Sequence, residues 1–345
     1  MNSEAINNKT TFIILHKDKK HITKKLLKYL SRYYPNENYI FADGDCNDEL
    51  SAFIECLNFK SLIYFHQEDL SVTHFFRKIQ KALNLVETKY AMLVEFDDYI
   101  FPKAIAKLEN FLDENIDYVS CGYPIPGFEV LKNNIRFYKQ YTPGHWKDAS
   151  EDSSLEDRIS SFKNFYVSYF DLYRVDVLKR MNDLVIDCKL HSLLMYEFIY
   201  AFAALCEGKQ KRMRGDIHYI RQYNTSLGFN LVHGDFVREM LEKNFTQDLN
   251  LSHDYLIQNY VPIDLQKFAS NEFFSFFEKN LKNRIYSNYI RHLLKKIGLG
   301  SVHRQKIFKR NMNVNELLKA YGTVSNSDKC SLRDFNNYLM EENNE

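Results

Sequence analysis

Short β-rich apolar runs alternate with helix-periodic segments through the first ~120 residues, and this alternation restricts the fold more than any other feature. Thr11–Leu15 (TFIIL), Tyr39–Ala42 (YIFA), Ser61–Phe65 (SLIYF), Tyr90–Phe96 (YAMLVEF) and Asp117–Cys121 have the length and β-branched or aromatic content of buried strands. Between them, Ile22, Leu26, Leu27 and Leu30 fall at helix spacing, as do Val72, Phe75, Phe76, Ile79, Ala82 and Leu83. Leu50–Leu57 reads as a shorter helix, and Pro102–Leu112 opens with a proline in its first turn. Strands alternating with helices predict an α/β chain with a mostly parallel sheet covered on both faces. In such sheets ligands bind beyond the carboxyl ends of the strands. Two acidic clusters, Asp43-Gly44-Asp45 and Glu95-Phe96-Asp97-Asp98, fall at such ends.

The pattern changes after Cys121. Gly122, Pro124, Pro126, Gly127, Pro143 and Gly144 punctuate residues 122–165, which read as turns, a hairpin and a loop. Trp146, beside Pro143-Gly144-His145, makes that loop a candidate lid or acceptor platform. Phe165–Tyr169 reads as a strand, Leu190–Cys206 as a helix closed by Gly208, and Lys211–Tyr223 as holding a last strand. From Phe236 onward strand patterns cease. The expected division is therefore a catalytic domain, 1–240, and a helical C-terminal region, 241–345.

Composition removes several function classes. A formal net charge of +1 gives no global field for nucleic acid. Six cysteines without a Cys-x-x-Cys pair argue against a zinc site or a disulfide frame. No apolar run approaches the roughly 18–20 residues of a membrane span. The polar stretch Met1–Thr10 lacks the apolar core of a signal peptide. A cytoplasmic protein with at most peripheral membrane contact is expected.

Three carboxylates within Glu95–Asp98 repel one another, so burying them is costly unless a cation neutralises them. On a strand Glu95 and Asp97 point to the same side, a pair suited to Mg²⁺ or Mn²⁺ with phosphate and water completing the shell. A solvated acidic turn before the Pro102 helix would read the same way. The passage Glu87-Thr88-Lys89-Tyr90-Ala91-Met92-Leu93-Val94-Glu95-Phe96-Asp97-Asp98-Tyr99-Ile100-Phe101-Pro102 resembles the helix-to-Asp-x-Asp passage of GT-A fold glycosyltransferases of the inverting family 2 type, with Glu95 in place of the usual first Asp. The opening segment Thr11–Leu30 and the turn Phe41-Ala42-Asp43-Gly44-Asp45 fit the same pattern, whereas His16-Lys17-Asp18 departs from it. The resemblance spans about residues 10–230. It implies a GT-A (Rossmann-like) fold and transfer of a sugar from a nucleotide-sugar donor, a UDP-sugar foremost, to a glycan or lipid-linked acceptor.

The resemblance also implies roles. Asp97 would hold the metal, with Asp98 and His218 as further ligands and Glu95 as a supporting donor-site contact. Asp43, with Asp45, would meet the donor nucleoside. Arg221, in His218-Tyr219-Ile220-Arg221, would face the diphosphate. Glu197 would be the catalytic base, since the family's acid precedes a helix-closing Gly at this distance. It is the one acid between Lys189 and Cys206 in an apolar helix, a setting that raises a carboxyl pKa. Asp187 and His191 are the fallback bases.

Nine Lys or Arg and no acid lie between Leu281 and Arg310, interleaved with apolar residues. This suits a membrane surface, or a helix packed with a solvated basic face. A rival to the transferase is a non-catalytic interaction protein of the same fold, docking a partner or membrane through this tail. A sugar-phosphate nucleotidyltransferase would carry a Gly-rich loop after its first strand, and no Gly precedes Gly44.

Overall fold

The apolar runs become strands β1 (Thr10–His16), β2 (Asn38–Asp43), β3 (Ser61–His66), β4 (Tyr90–Glu95) and β6 (Tyr118–Gly122). Between them run helices α1 (Lys20–Tyr33), α2 (Ser51–Glu55), α3 (Val72–Asn84) and α4 (Pro102–Glu114). The computed structural model describes residues 8–131, 134–138, 154–164, 168–191, 193–222, 243–278, 313, 315–316 and 326–342. β1 pairs in parallel with β2 and β4, and β2 with β3. Phe12–Leu15 and Met92–Val94, on the central strands, are buried on both faces, which is why these runs read as continuously apolar. The expected α/β class with a mainly parallel sheet is what the chain forms.

The register sets the strand ends level. Leu15 lies beside Glu95, His16 beside Asp43, and Asp43 beside His66. The carboxyl ends of four strands thus share one rim, and both acidic clusters stand on it.

Several elements differ from the sequence expectation. β9 (Leu172–Arg174) inserts antiparallel between β4 and β6, giving the order β10-β6-β9-β4-β1-β2-β3. The late strand expected within Lys211–Tyr223 is two. β10 (Lys209–Arg212) joins the main sheet, Gly215 turns the chain at φ 95°, and β11 (Tyr219–Gln222) enters a second sheet. That sheet also contains β5 (Tyr99–Ile100), β7 (Gly127–Leu131) and β8 (Asn134–Tyr138), the last two forming the expected hairpin. Ser168–Phe170 is a 3-10 turn rather than the end of a strand. The helix expected from Leu190 is α7 (Leu194–Glu207), preceded by a left-handed Lys189 that ends α6 (Val175–Asp187).

The described residues of the C-terminal third pack on the body. α8 (Lys243–Tyr260) lies on α7. Helical residues 266–278 set Phe273 and Phe276 against Phe162, with ring centroids 5.9 and 4.7 Å away. α9 (Asn326–Glu342) returns to the first helix, where Tyr338 donates to the Lys25 carbonyl at 2.7 Å and Arg32 pairs with Glu341 at 3.0 Å. Its Phe335 ring sits 4.8 Å from Tyr99, 5.2 Å from Phe128 and 5.8 Å from both Tyr29 and Phe101. The basic stretch 281–310 and the Trp146 loop lie outside the described residues. No helix among the described residues is long and apolar enough to cross a membrane.

Phe335→Ala should cost about 3–5 kcal/mol, the usual penalty for emptying a buried aromatic site. Denaturant unfolding should remain a single transition with a lower midpoint. A separate early transition of the C-terminal helix, with the main midpoint unmoved, would mean that the tail is an independent appendage.

Candidate active site

The rim of the sheet carries two charge clusters. The first joins the ends of β1, β2 and β3. His16 is buried, with Nδ1 2.8 Å from the Thr23 hydroxyl and Nε2 3.1 Å from Asp45. Burial lowers its pKa against the pull of Asp45 and Asp43. The neutral ring thus donates from Nε2 and accepts at Nδ1. Asp43 is also buried. One oxygen accepts the Asp45 N–H at 3.0 Å, and the other accepts from Tyr64, whose hydroxyl also touches Asp48. Burial alone would raise Asp45, but the Asp18 N–H, His16 and Lys20 together hold it below the ordinary carboxylate range.

Behind this cluster lies a buried pair that the sequence reading missed. Lys78 of α3 donates to Asp69 at 2.5 Å and to the His16 carbonyl at 2.8 Å. Burial pushes Lys78 down and Asp69 up, and each is held against that shift by the other. Asp69 Oδ1 is buried with no hydrogen-bond partner among the described residues. A signal for Lys78 was available. It occupies the apolar stripe of α3, at helix spacing with Phe75 and Ala82.

The second cluster stands at the end of β4. The Glu95 N–H donates to the Tyr219 hydroxyl at 3.2 Å, and that hydroxyl donates to Asp98 at 2.8 Å. Asp98 also accepts the Gln222 N–H at 2.9 Å and lies 3.5 Å from Arg221 Nε. Burial and the neighbouring Asp97 raise the Asp98 pKa, opposed by Arg221, Tyr219 and Gln222. Glu95 is pushed up to about 7 by burial first and Asp97 second, with Glu197 adding to the rise and Arg221 and Lys78 opposing it. Asp97 is buried. Arg221 lies over the Phe170 ring at 4.4 Å. The pairing of β5 with β11 delivers Arg221 to the acids, because Ile220 lies opposite Tyr99.

Glu197, in the first turn of α7, is half-buried and close enough to Glu95 to act on its proton affinity. Its neighbour Tyr196 packs at 4.9 Å on Tyr169, whose hydroxyl is buried without a partner among the described residues. The structure thus draws Glu95, Asp97, Asp98, Arg221 and Glu197 together, with Asp43 and Asp45 in the adjacent cluster. The fallback His191 instead donates its backbone N–H to the buried Asp248, with Nδ1 2.8 Å from the same carboxylate.

Two of the expected metal ligands have protein partners on the atoms they would offer. His218 is fully buried. Its Nδ1 accepts the Tyr123 N–H at 3.2 Å, and its Nε2 donates to the Phe170 carbonyl at 3.1 Å. Neither nitrogen has a lone pair to offer an ion, so its role is to tie β11 to β6 and the 168–170 turn. Asp98 has its oxygens engaged by Tyr219, Gln222 and Arg221, which ties β11 to the end of β4. His16, Asp43 and Asp45 do bring ligand atoms within 4.8 Å of one another. Lys20 lies 3.6 Å from Asp45, however, and protein donors already balance that cluster. Asp97 and Glu95 repel one another, and Arg221 and Lys78 offset part of that repulsion at Glu95.

No protein-family model matches the sequence. No curated protein matches it either. The fold has solved counterparts. The structure of S. aureus TarS 1–349 aligns over 97% of this chain and 88% of that one, with a TM-score of 0.54 and 14% identity. TarS 1–349 in complex with UDP covers 79% of this chain and 72% of that one, at TM-score 0.51 and 15% identity. The complex with UDP-GlcNAc covers 97% and 89%, at TM-score 0.52 and 14% identity. TarS is a glycosyltransferase, and this chain has its GT-A-like fold.

The buried His218 generates a pH dependence. Burial lowers its pKa to about 3 in the folded chain, against about 6.5 unfolded. A depressed folded pKa gives stability that is present above the unfolded value and lost as pH falls toward the folded one. Between pH 6.5 and 5 the loss should be about 2 kcal/mol. Urea melts of wild type and His218→Gln at both pH values check this, since the variant should lack that part of the slope.

Proposed function

We propose that the chain is a nucleotide-sugar glycosyltransferase that moves a sugar from a nucleoside diphosphate donor to a hydroxyl of a glycan or lipid-linked acceptor, inverting the anomeric centre. The observation that carries this reading is the convergence of Glu95, Asp97, Arg221 and Glu197 on the strand rim beside a second polar cluster. The fold it shares with a protein solved with UDP and with UDP-GlcNAc supports the same reading.

In this reading Asp97 with Glu95 would hold Mn²⁺ or Mg²⁺, which would supply positive charge for the departing diphosphate. The donor base lies over the ends of β1 to β3, above the buried Asp69–Lys78 pair. Asp43, fixed by Tyr64 and the Asp45 N–H, faces the ribose. Arg221, held by Asp98 and Phe170, presents its fork to the diphosphate. Glu197 takes the acceptor proton as the hydroxyl attacks opposite the leaving group. The stretch 281–310 meets the anionic membrane surface that bears the acceptor, as in assembly of a bacterial-type surface polysaccharide or glycolipid.

Thermal melts with a panel of sugar nucleotides, with and without Mn²⁺, test the donor site. One nucleotide class should raise the midpoint only with metal, and Asp97→Ala should abolish that rise. No response to any nucleotide would favour a non-catalytic docking protein. Glu197→Gln should retain donor binding while turnover falls by about 10²–10⁴-fold. Normal turnover in that variant would remove Glu197 from the mechanism.

A further inference from the structure

β3 is the free edge of the seven-stranded sheet, with β2 its one strand neighbour among the described residues. Exposed edges are usually blunted by a charged residue, a proline or a bulge. Ser61-Leu62-Ile63-Tyr64-Phe65-His66 contains no Pro, Lys, Arg, Asp or Glu, and its register with β2 is unbroken. Ile63 is 45% exposed, and Leu70, just past the strand, is 68% exposed. In a parallel ladder alternate residues turn their backbone groups to opposite sides. The Gln67 N–H bonds to the Asp43 carbonyl. Ser61, Ile63 and Phe65 therefore face β2, and Leu62, Tyr64 and His66 present their backbone groups to the open edge.

We propose that this edge pairs antiparallel with the same edge of a second copy of the chain, on a two-fold axis through Tyr64. In that register Leu62 stands opposite His66, and Tyr64 opposite itself. These are the residues whose groups face outward, so about six backbone hydrogen bonds can close. The exposed Ile63 packs beside the second copy's Phe65, once on each side of the axis. Lys60, exposed at the bend before the strand, stands opposite Glu68 of the extended segment after it, again twice. Among the described residues neither makes a salt bridge. Moving the register by two residues loses both matches. One shift sets Lys60 against His66 and Ile63 against itself, and the other sets Glu68 against Leu62. Charge complementarity thus selects both a second copy as occupant and one alignment of it. The pairing does not depend on the transferase reading.

Sedimentation velocity of the full chain across a concentration series tests it. The mass should move from monomer to dimer as concentration rises. Ile63→Lys should hold the chain monomeric, with melts confirming that it folds. Ser61→Glu, at an exposed position on the same edge, serves if that variant does not fold. Lys60→Glu should weaken the dimer about tenfold through two like-charge pairs. The charge-swapped variant Lys60→Glu/Glu68→Lys should recover it. A chain that stays monomeric at every concentration overturns the proposal, as does a dimer indifferent to Ile63→Lys and Ser61→Glu. Failure of the charge swap to recover the dimer overturns the register.

Discussion

One buried ammonium links everything on the rim of the sheet. Lys78 Nζ is sealed from solvent and reaches the His16 carbonyl, and its charge acts on Asp69, Glu95 and Asp43 in falling order. Without it Asp69 would be a buried carboxylate facing only Lys17, which bonds the Asp69 main-chain carbonyl at 2.6 Å, and breaking a buried pair of this kind costs about 3–5 kcal/mol. Its field reaches both clusters. Gly44 shows how closely the pair is enclosed, because a β-carbon there would overlap the Asp69 carboxylate and the Lys78 ammonium. The Asp-Gly turn after β2 is thus a requirement for close approach as much as a turn signal.

The two clusters divide the work by the state of their oxygens. In the first, nearly every acceptor already has a protein donor, and Asp69 Oδ1 is the exception. Such a cluster is held rigid by its own hydrogen bonds. In the second, burial and repulsion raise Glu95 and Asp98 together, so the cluster favours added positive charge. Arg221 supplies part of that charge from the protein, and a divalent ion would supply the rest.

Much of this was legible in the sequence, for a physical reason. Buried parallel strands are continuously apolar, so β1, β2, β4 and β6 could be read directly, and the acids at their ends stood out against them. What was not legible depends on tertiary register. β9 is three residues long and antiparallel, too short to show a period. Lys78 is a charge on an apolar stripe, and only the placement of Asp69 and His16 explains it. His218 beside Arg221 suggests a ligand by residue type, whereas its two ring nitrogens are taken by backbone groups from β6 and from the 168–170 turn. Asp98 belongs to the acidic motif by sequence, yet its oxygens hold β11 in place. The helical pattern after residue 240 was readable, but not the contacts it makes.

Those contacts bear on the site itself. β5 has two residues, and the sheet it shares with β11, β7 and β8 is too slight to hold its position unaided. Its strands bracket the motif, since Tyr99 follows Asp98 and β11 carries Tyr219 and Arg221. Phe335 of the last helix closes the aromatic cluster of Tyr29, Tyr99, Phe101 and Phe128 behind that sheet. The acids face the rim on one side of β5, and the C-terminal helix backs it on the other. The described last helix therefore packs against the same small sheet that carries Tyr219 and Arg221. The chain's end and its acidic motif belong to one packing unit.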